Sequence, residues 1–168
     1  STDKTAKICS EFQKKHEDIV ELILNERNLG PTANAIQLYN KCFESCAKYI
    51  ALIEGDDIWI DQFKLQKQVN FLDNNKEYSL VGHKAKIINE INFNNQATHY
   101  QGVYNADTYT FSDVAVKNIR IPTSSLMFRN NFKIPGWFKE IYGGDRAIIF
   151  LAAQKGKIKI MDFVGSAY

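Results

Sequence analysis

Glu54, Asp56 and Asp57 stand within four residues, "EGDD", directly after the apolar run "YIALI". Alternate residues of an extended chain point to one side, so this spacing sets Glu54 and Asp56 side by side. Gly55 between them leaves room for a ligand to approach the backbone. Carboxylates this close repel one another, and a hard divalent cation with oxygen ligands is what usually offsets the repulsion. Mg²⁺ or Mn²⁺ is the expected ion, held by one or two carboxylates and completed by phosphate oxygens. The same four residues are equally compatible with a solvated turn that its aspartates cap. An EF-hand is excluded, because its Asp-x-Asp-x-Asp-Gly spacing and its Glu at the twelfth position are missing.

Other chemistry-bearing residues are more isolated. Asp145 follows Gly144 and suits a helix N-cap. His83 closes a strand-like run near the acids and could reach a phosphate or an acceptor, although a single His at a strand end is more often structural. His16 and His99 lie in polar surroundings that suit solvated side chains. Trp59 is either a core filler or a lid over a ring, with burial statistics favouring the core. Trp137, Phe138 and Tyr142 precede Asp145 and could stack on a sugar or pack a loop onto the core.

The elements that must position these groups follow from periodicity. Residues 2–16 read as an amphipathic helix with Ala6, Ile8, Cys9 and Phe12 at near-helical spacing. "IVELILNE" (19–26) reads as a buried strand, and "RNLGP" as a turn in which Gly30 can take an unusual backbone angle. Pro31 suits the first turn of a second helix, whose buried face runs through Ala35, Leu38, Tyr39, Cys42, Phe43 and Cys46. "YIALIE" is a second strand, expected to be central, with the acids at its carboxyl end, where parallel sheets place ligands. A third helix carries Leu65, Val69 and Leu72 on one side and ends at an Asn pair. "EYSLVGHKAKIIN" is a longer strand, and residues 91–119 are a loop or irregular hairpin. "PTSSLMFRN" is a strand, "NFKIPGWFKEIYGG" a loop, "DRAIIFLAAQKG" a helix ended by Gly156, and "KIKIMDFVGSAY" a last strand. The alternation of helix and strand predicts an α/β fold with a mostly parallel sheet flanked by helices.

The 168 residues suit one domain with a real core, at 45% hydrophobic and 24% charged. A net charge of +2 with scattered lysines argues against a nucleic-acid partner. No apolar run approaches the roughly 20 residues of a membrane span. Cys42 and Cys46 read as buried free thiols and, with three cysteines in all, suit a reducing cytoplasm. The polar opening, without initiator Met or signal-like segment, reads as an internal start.

The stretch "KYIALIEGDDIWIDQFKLQKQVNFLDNNKEYSLVGH" resembles the strand, Asp-x-Asp-type motif and following helix of family 2 glycosyltransferases, inverting enzymes of the GT-A fold. The likeness continues in order. "STDKT" resembles the end of the Asp-Gly-Ser-x-Asp-x-Thr element, "ERNLG" the Asn-x-Gly turn, "IPTSSLMFRN" the acceptor-side strand, and "GGDRAIIFLAAQKGKI" the helix presenting the catalytic carboxylate.

The resemblance implies one GT-A-like domain over residues 1–168. Residues 1–60 would be the remainder of a nucleotide-binding half truncated at its amino terminus, and 61–168 the acceptor-side half. It implies Asp56 as metal ligand, Glu54 at the first motif position and Asp57 beside them. Asp3, Asn28 and Gly30 would lie on the donor side, and Asp145 would take the proton from the acceptor hydroxyl. The expected donor is a UDP-sugar and the expected acceptor a glycan or lipid-linked glycan. The setting would be cytoplasmic, with the inner membrane face as a peripheral location open to it, in surface polysaccharide synthesis. A non-catalytic binding or scaffold module of the same fold is the alternative. Two features depart from the family pattern: the Arg that many members carry in the helix after the Asn-x-Gly turn has no counterpart, since Asn34 and Ala35 stand there, and Gly144 stands where Glu is usual.

Overall fold

The computed structural model describes residues 3–88, 106–117, 119–141 and 143–167. Helices α1 (Thr5–Lys15) and α2 (Gly30–Glu44) precede strands β1 (Tyr49–Ala51) and β2 (Ile58–Trp59). Helix α3 (Lys64–Asn74) and strand β3 (Tyr78–Lys86) follow. Then come β4 (Thr108–Tyr109), α4 (Phe111–Val116), β5 (Met127–Arg129), α5 (Gly144–Ala153) and β6 (Lys157–Ala167). Short 3₁₀ turns at Thr123–Ser125 and Gly136–Glu140 precede β5 and α5.

The strands form one sheet in the order β1-β5-β3-β6-β2, with β4 also paired to β6. The α/β class holds, but the expectation of a mostly parallel sheet is corrected to a mixed one. β3 and β6 run parallel, through pairs such as Leu80 with Ile158, while the other pairings are antiparallel. The cause is the hydrogen-bonding partner of each strand: β5 enters between β1 and β3 and runs against both.

Two-residue alternation divides the core between the faces of the sheet. Ile50, Leu80, Phe128 and Ile160 join Tyr39 of α2 and Ile148 of α5 on one face. Their neighbours Tyr49, Val81, Met127 and Met161 join Leu72 of α3 on the other. Helices α2 and α5 therefore cover one face and α3 the other. Arg129 fastens α3 to β3, donating to the carbonyls of Leu72 (2.6 Å) and Tyr78 (2.7 Å).

Several local expectations change. Residues 19–26 form no strand among the described residues, because no described strand lies beside them to complete a ladder. Helix α1 forms as expected, yet Ile8 and Phe12 stay exposed and none of its residues is buried. Cys9, Cys42 and Cys46 are free, but Cys42 is only half-buried and Cys46 is exposed, since α2 ends at Glu44 and its apolar face stops with it. The buried stripe of α3 is Lys64, Gln68 and Leu72, and Leu65 faces out. Trp59 covers that part of the helix, so a lysine stem serves where an aliphatic side chain was expected.

Within the expected loop 91–119, the described part folds into β4 and α4. A Thr110–Asp113 capping box starts α4: Thr110 N–H donates to Asp113 Oδ2 (2.9 Å) and Asp113 N–H to Thr110 Oγ1 (3.3 Å). Residues 91–105, with His99, lie outside the described residues, as does Tyr142.

Candidate active site

The acidic turn crosses the sheet. β1 lies at one edge of the described strands and β2 at the other, so β1 is not central and the residues between them span the sheet's end. β1, β3 and β6 run in one direction, and β2 pairs with Ser166 and Ala167 at the end of β6. The acids therefore do lie at the carboxyl ends of these strands. Locally they are turned rather than extended: Asp57 N–H donates to the Glu54 carbonyl at 3.2 Å. Extended alternation is thus not what brings the carboxylates together. The space beside Gly55 is open, as a ligand approaching the backbone needs.

A cavity of about 340 Å³ is bordered by Glu54 from this turn, Tyr39 of α2, Thr123, Phe138, and Asp145 at the head of α5. Gly143 caps α5 with φ +89°, a left-handed angle that glycine takes without strain, and so sets Asp145 in the first helical turn. Gly144 passes closely over Phe138, and a Cβ there would meet that ring at 3.0 Å. Phe138 in turn packs edge-on against Tyr39, with centroids 5.7 Å apart.

The cavity concentrates negative charge. Burial first, then Asp57, Asp56 and Asp145, push the Glu54 carboxyl above its ordinary range. The Tyr39 phenol is pushed up to about 12, by burial first and then by Asp145 and Glu54. It stays protonated at neutral pH and borders the cavity together with the two carboxylates. Sequence reasoning took Tyr39 for a core residue. Its signal was its place on the buried face of α2, which alone does not tell a packed ring from one whose hydroxyl reaches a cavity.

Asp56 and Asp57 stand in the turn beside Glu54 without bordering this cavity, and Asp3, Asn28 and Gly30 lie apart from it. Asp3 accepts a hydrogen bond from Thr5 N–H at 2.9 Å, at the start of α1. Asn28 accepts one from Gly30 N–H at 2.8 Å, and Gly30 takes φ +76° at the entry to α2. Gly30 borders a neighbouring cavity of about 290 Å³ that shares Pro31 and Thr32 with the first. Among the described residues, no group of three or more His, Cys, Asp or Glu could hold a metal by itself.

A polar cluster behind the site was also missed. Trp59 Nε1 donates to the Ser124 carbonyl (2.9 Å) and Gln68 Nε2 to the Ser125 carbonyl (2.7 Å), fixing the 3₁₀ turn that carries Thr123 into the cavity. Lys64 Nζ, Gln68 Oε1 and His83 Nε2 are buried without hydrogen-bond partners among the described residues. His83 lies within β3 rather than at its end, fully buried against Phe163. His16 packs on Phe12.

The sequence profile of "Glycosyl transferase family 2" matches residues 1–134. The chain belongs to glycosyl transferase family 2. Its GT-A fold follows from that membership. A Bacillus subtilis protein with the name "Putative glycosyltransferase EpsE" is 32% identical over 91 residues, 54% of this chain and 31% of that protein. Uncharacterized proteins of Mycobacterium bovis and Mycobacterium tuberculosis are each 36% identical over 90 residues, 54% of this chain and 25% of theirs. The match thus spans between a quarter and a third of the length of these relatives. The family segment contains Asp3, Asn28, Gly30, Glu54, Asp56 and Asp57, and Asp145 lies beyond it. No helix among the described residues is long and apolar enough to cross a membrane.

Proposed function

We propose that this chain carries the transfer site of an inverting glycosyltransferase, which moves a sugar from a nucleotide-diphosphate donor to an acceptor hydroxyl. The observation that carries this reading is the single cavity bordered by Glu54 of the acidic turn and Asp145 of α5. Each element alone has an ordinary structural explanation; their convergence on one cavity supports a shared chemical role.

In the proposed reaction the acceptor oxygen attacks the anomeric carbon as the bond from that carbon to the diphosphate oxygen breaks. The acceptor proton passes to the Asp145 carboxylate, and the nucleoside diphosphate leaves with the bonding electrons. A single displacement inverts the anomeric centre. Tyr39 borders the same cavity with its phenol protonated, and its role in this proposal is to donate a hydrogen bond to the acceptor bound there.

The Glu54 carboxyl, raised by burial first and then by the neighbouring carboxylates, fits a divalent cation in the mode where protein supplies one or two carboxylates and the donor's phosphates supply the rest. Asp56, with Glu54 and Asp57 beside it, would hold Mg²⁺ or Mn²⁺. Such an ion neutralises charge on a diphosphate leaving group. A UDP-sugar as donor, a glycan or lipid-linked acceptor in surface polysaccharide synthesis, and a cytoplasmic setting complete the proposal. The three free cysteines suit a reducing compartment.

The test is calorimetric titration of UDP with Mn²⁺, alongside detection of glycosylated product from a panel of UDP-sugars. Binding that disappears in Asp56→Ala, together with product of inverted configuration, is expected. Metal-independent binding unchanged in Asp56→Ala contradicts the metal role, and metal-dependent binding without turnover on any donor favours the non-catalytic module.

A further inference from the structure

Asp145 divides two surfaces of opposite charge. The cavity described above is bordered by Glu54 and Asp145 and, among the described residues, by no cationic side chain. Across the head of α5, a second cavity of about 190 Å³ shares Thr123 and Asp145 with the first and adds Arg120 and Arg146. Arg146 and Ile149 also border a third, of about 280 Å³, with Lys117 and the half-exposed Trp137. The last two cavities adjoin across Arg146 and Ile149, making a groove whose charged lining among the described residues is three cations and Asp145.

These cations are not all neutralised within the protein. Lys117 is paired with Asp113 at 2.6 Å. Arg120 and Arg146 are exposed and have no ion-pair partner among the described residues. A guanidinium presents a planar fork of donors that matches a carboxylate or phosphate. Trp137 offers an apolar face of the kind that covers the C–H face of a sugar ring. An oxyanion brought beside Asp145 would be repelled by the acids across α5, and two unpaired arginines on the near side offset that repulsion.

We propose that this groove is the acceptor subsite and that it selects an acceptor carrying an oxyanion next to the sugar that bears the reacting hydroxyl. Arg120 and Arg146 hold the oxyanion, and Trp137 holds the ring. The inference rests on the transferase reading, because it takes Asp145 as the group that meets the acceptor hydroxyl. The oxyanion is the carboxylate of an acidic sugar or the phosphate of a sugar phosphate; both present the same oxygens to the arginines.

The test measures binding of matched probes to the full-length protein saturated with UDP and Mn²⁺. Methyl glucuronide is compared with methyl glucoside, and N-acetylglucosamine 1-phosphate with methyl N-acetylglucosaminide. In at least one pair the charged member should bind about tenfold more tightly, and the pair that shows it identifies the source of the oxyanion. The preference should vanish in Arg120→Gln/Arg146→Gln while UDP affinity is kept, which also shows that the variant is folded. In Trp137→Ala both members of a pair should weaken together, with the preference retained. In the unsubstituted protein, about 0.5 M NaCl should erode the preference, a result that needs no variant. Equal binding within both pairs, or a preference that survives the double substitution and the salt, overturns the proposal. Failure of UDP to bind at all strikes the donor reading instead, and the probe pairs then still report on the groove.

Discussion

Lys64 holds its ammonium 4.2 Å from the centre of the Trp59 ring, and so ties the helix that follows the acidic turn to the strand that leaves it. The contact is favourable, at about 2 kcal/mol for a desolvated cation over an aromatic face. Against it stands a buried ammonium with no hydrogen-bond partner among the described residues, whose burial lowers its pKa to about 8. Leaving a buried charged donor unsatisfied costs more than the ring returns.

Lys64→Met should therefore stabilise the protein by about 1 kcal/mol at pH 7, measured by chemical denaturation. The folded pKa is depressed, so between about 8 and the unfolded value of 10.5 the unfolded state binds more protons. The stability of the unsubstituted protein should rise across that window and close the gap to Lys64→Met. A gap that widens with pH would contradict this assignment.

His83 makes the corresponding prediction in acid. Burial, its largest cause, lowers the imidazole to about 4 from 6.5, although the Lys84 carbonyl, 2.9 Å from Nδ1, opposes the shift. Lys64 and Lys67 lower it further and Asp61 raises it. The unfolded state binds the extra proton between these values, so stability should fall as pH drops from 6.5 to 4. In His83→Leu the fall over that interval should be smaller; an unchanged slope would show that the imidazole is not its source.

Tyr39→Phe removes one oxygen and keeps the edge-on packing with Phe138. Stability should change by no more than about 1 kcal/mol. Turnover should fall about tenfold with donor affinity kept, as the loss of one orienting hydrogen bond predicts. Unaltered turnover would make Tyr39 a packing residue only.

Gly143→Ala places a Cβ at φ +89° in the cap of α5. The strain should cost about 1 kcal/mol or more. Because the cap sets the position of Asp145, turnover should fall further than in an Ala substitution at exposed Gly136, which has open space around it. Equal effects at both positions would separate the cap from catalysis.

The elements with clear periods were legible in the sequence: α1, α2, α3, β3, α5 and β6 all stand where their patterns put them. What periodicity could not give was partnership. Residues 19–26 have a strand's composition, but a strand also needs a neighbour's hydrogen-bonding groups, and no described strand supplies them. Strand direction was likewise hidden, because Met127 and Phe128 alternate in the same way whether β5 runs with or against β3. The stripe of α3 was misplaced because a hydropathy pattern does not anticipate a lysine buried beneath Trp59. The Thr110–Asp113 capping box was readable and was passed over among the polar residues around it. At the site, the reading of "EGDD" singled out Asp56, whereas the acid that borders the cavity is its neighbour Glu54; the meeting of Glu54 with Asp145 and Tyr39 came only from the packing of α2 and α5 on one face.

The central claim is that Asp145 accepts the acceptor's proton. It is tested most directly by comparing Asp145→Asn with the unsubstituted full-length protein for both UDP affinity and sugar transfer at saturating donor and acceptor. Asparagine keeps the size of the side chain at the head of α5 and removes its basicity. The predicted result is a fall in kcat of about 10² to 10⁴ with UDP affinity unchanged. A variant that keeps most of its transfer rate would contradict the assignment and move the proton acceptor elsewhere.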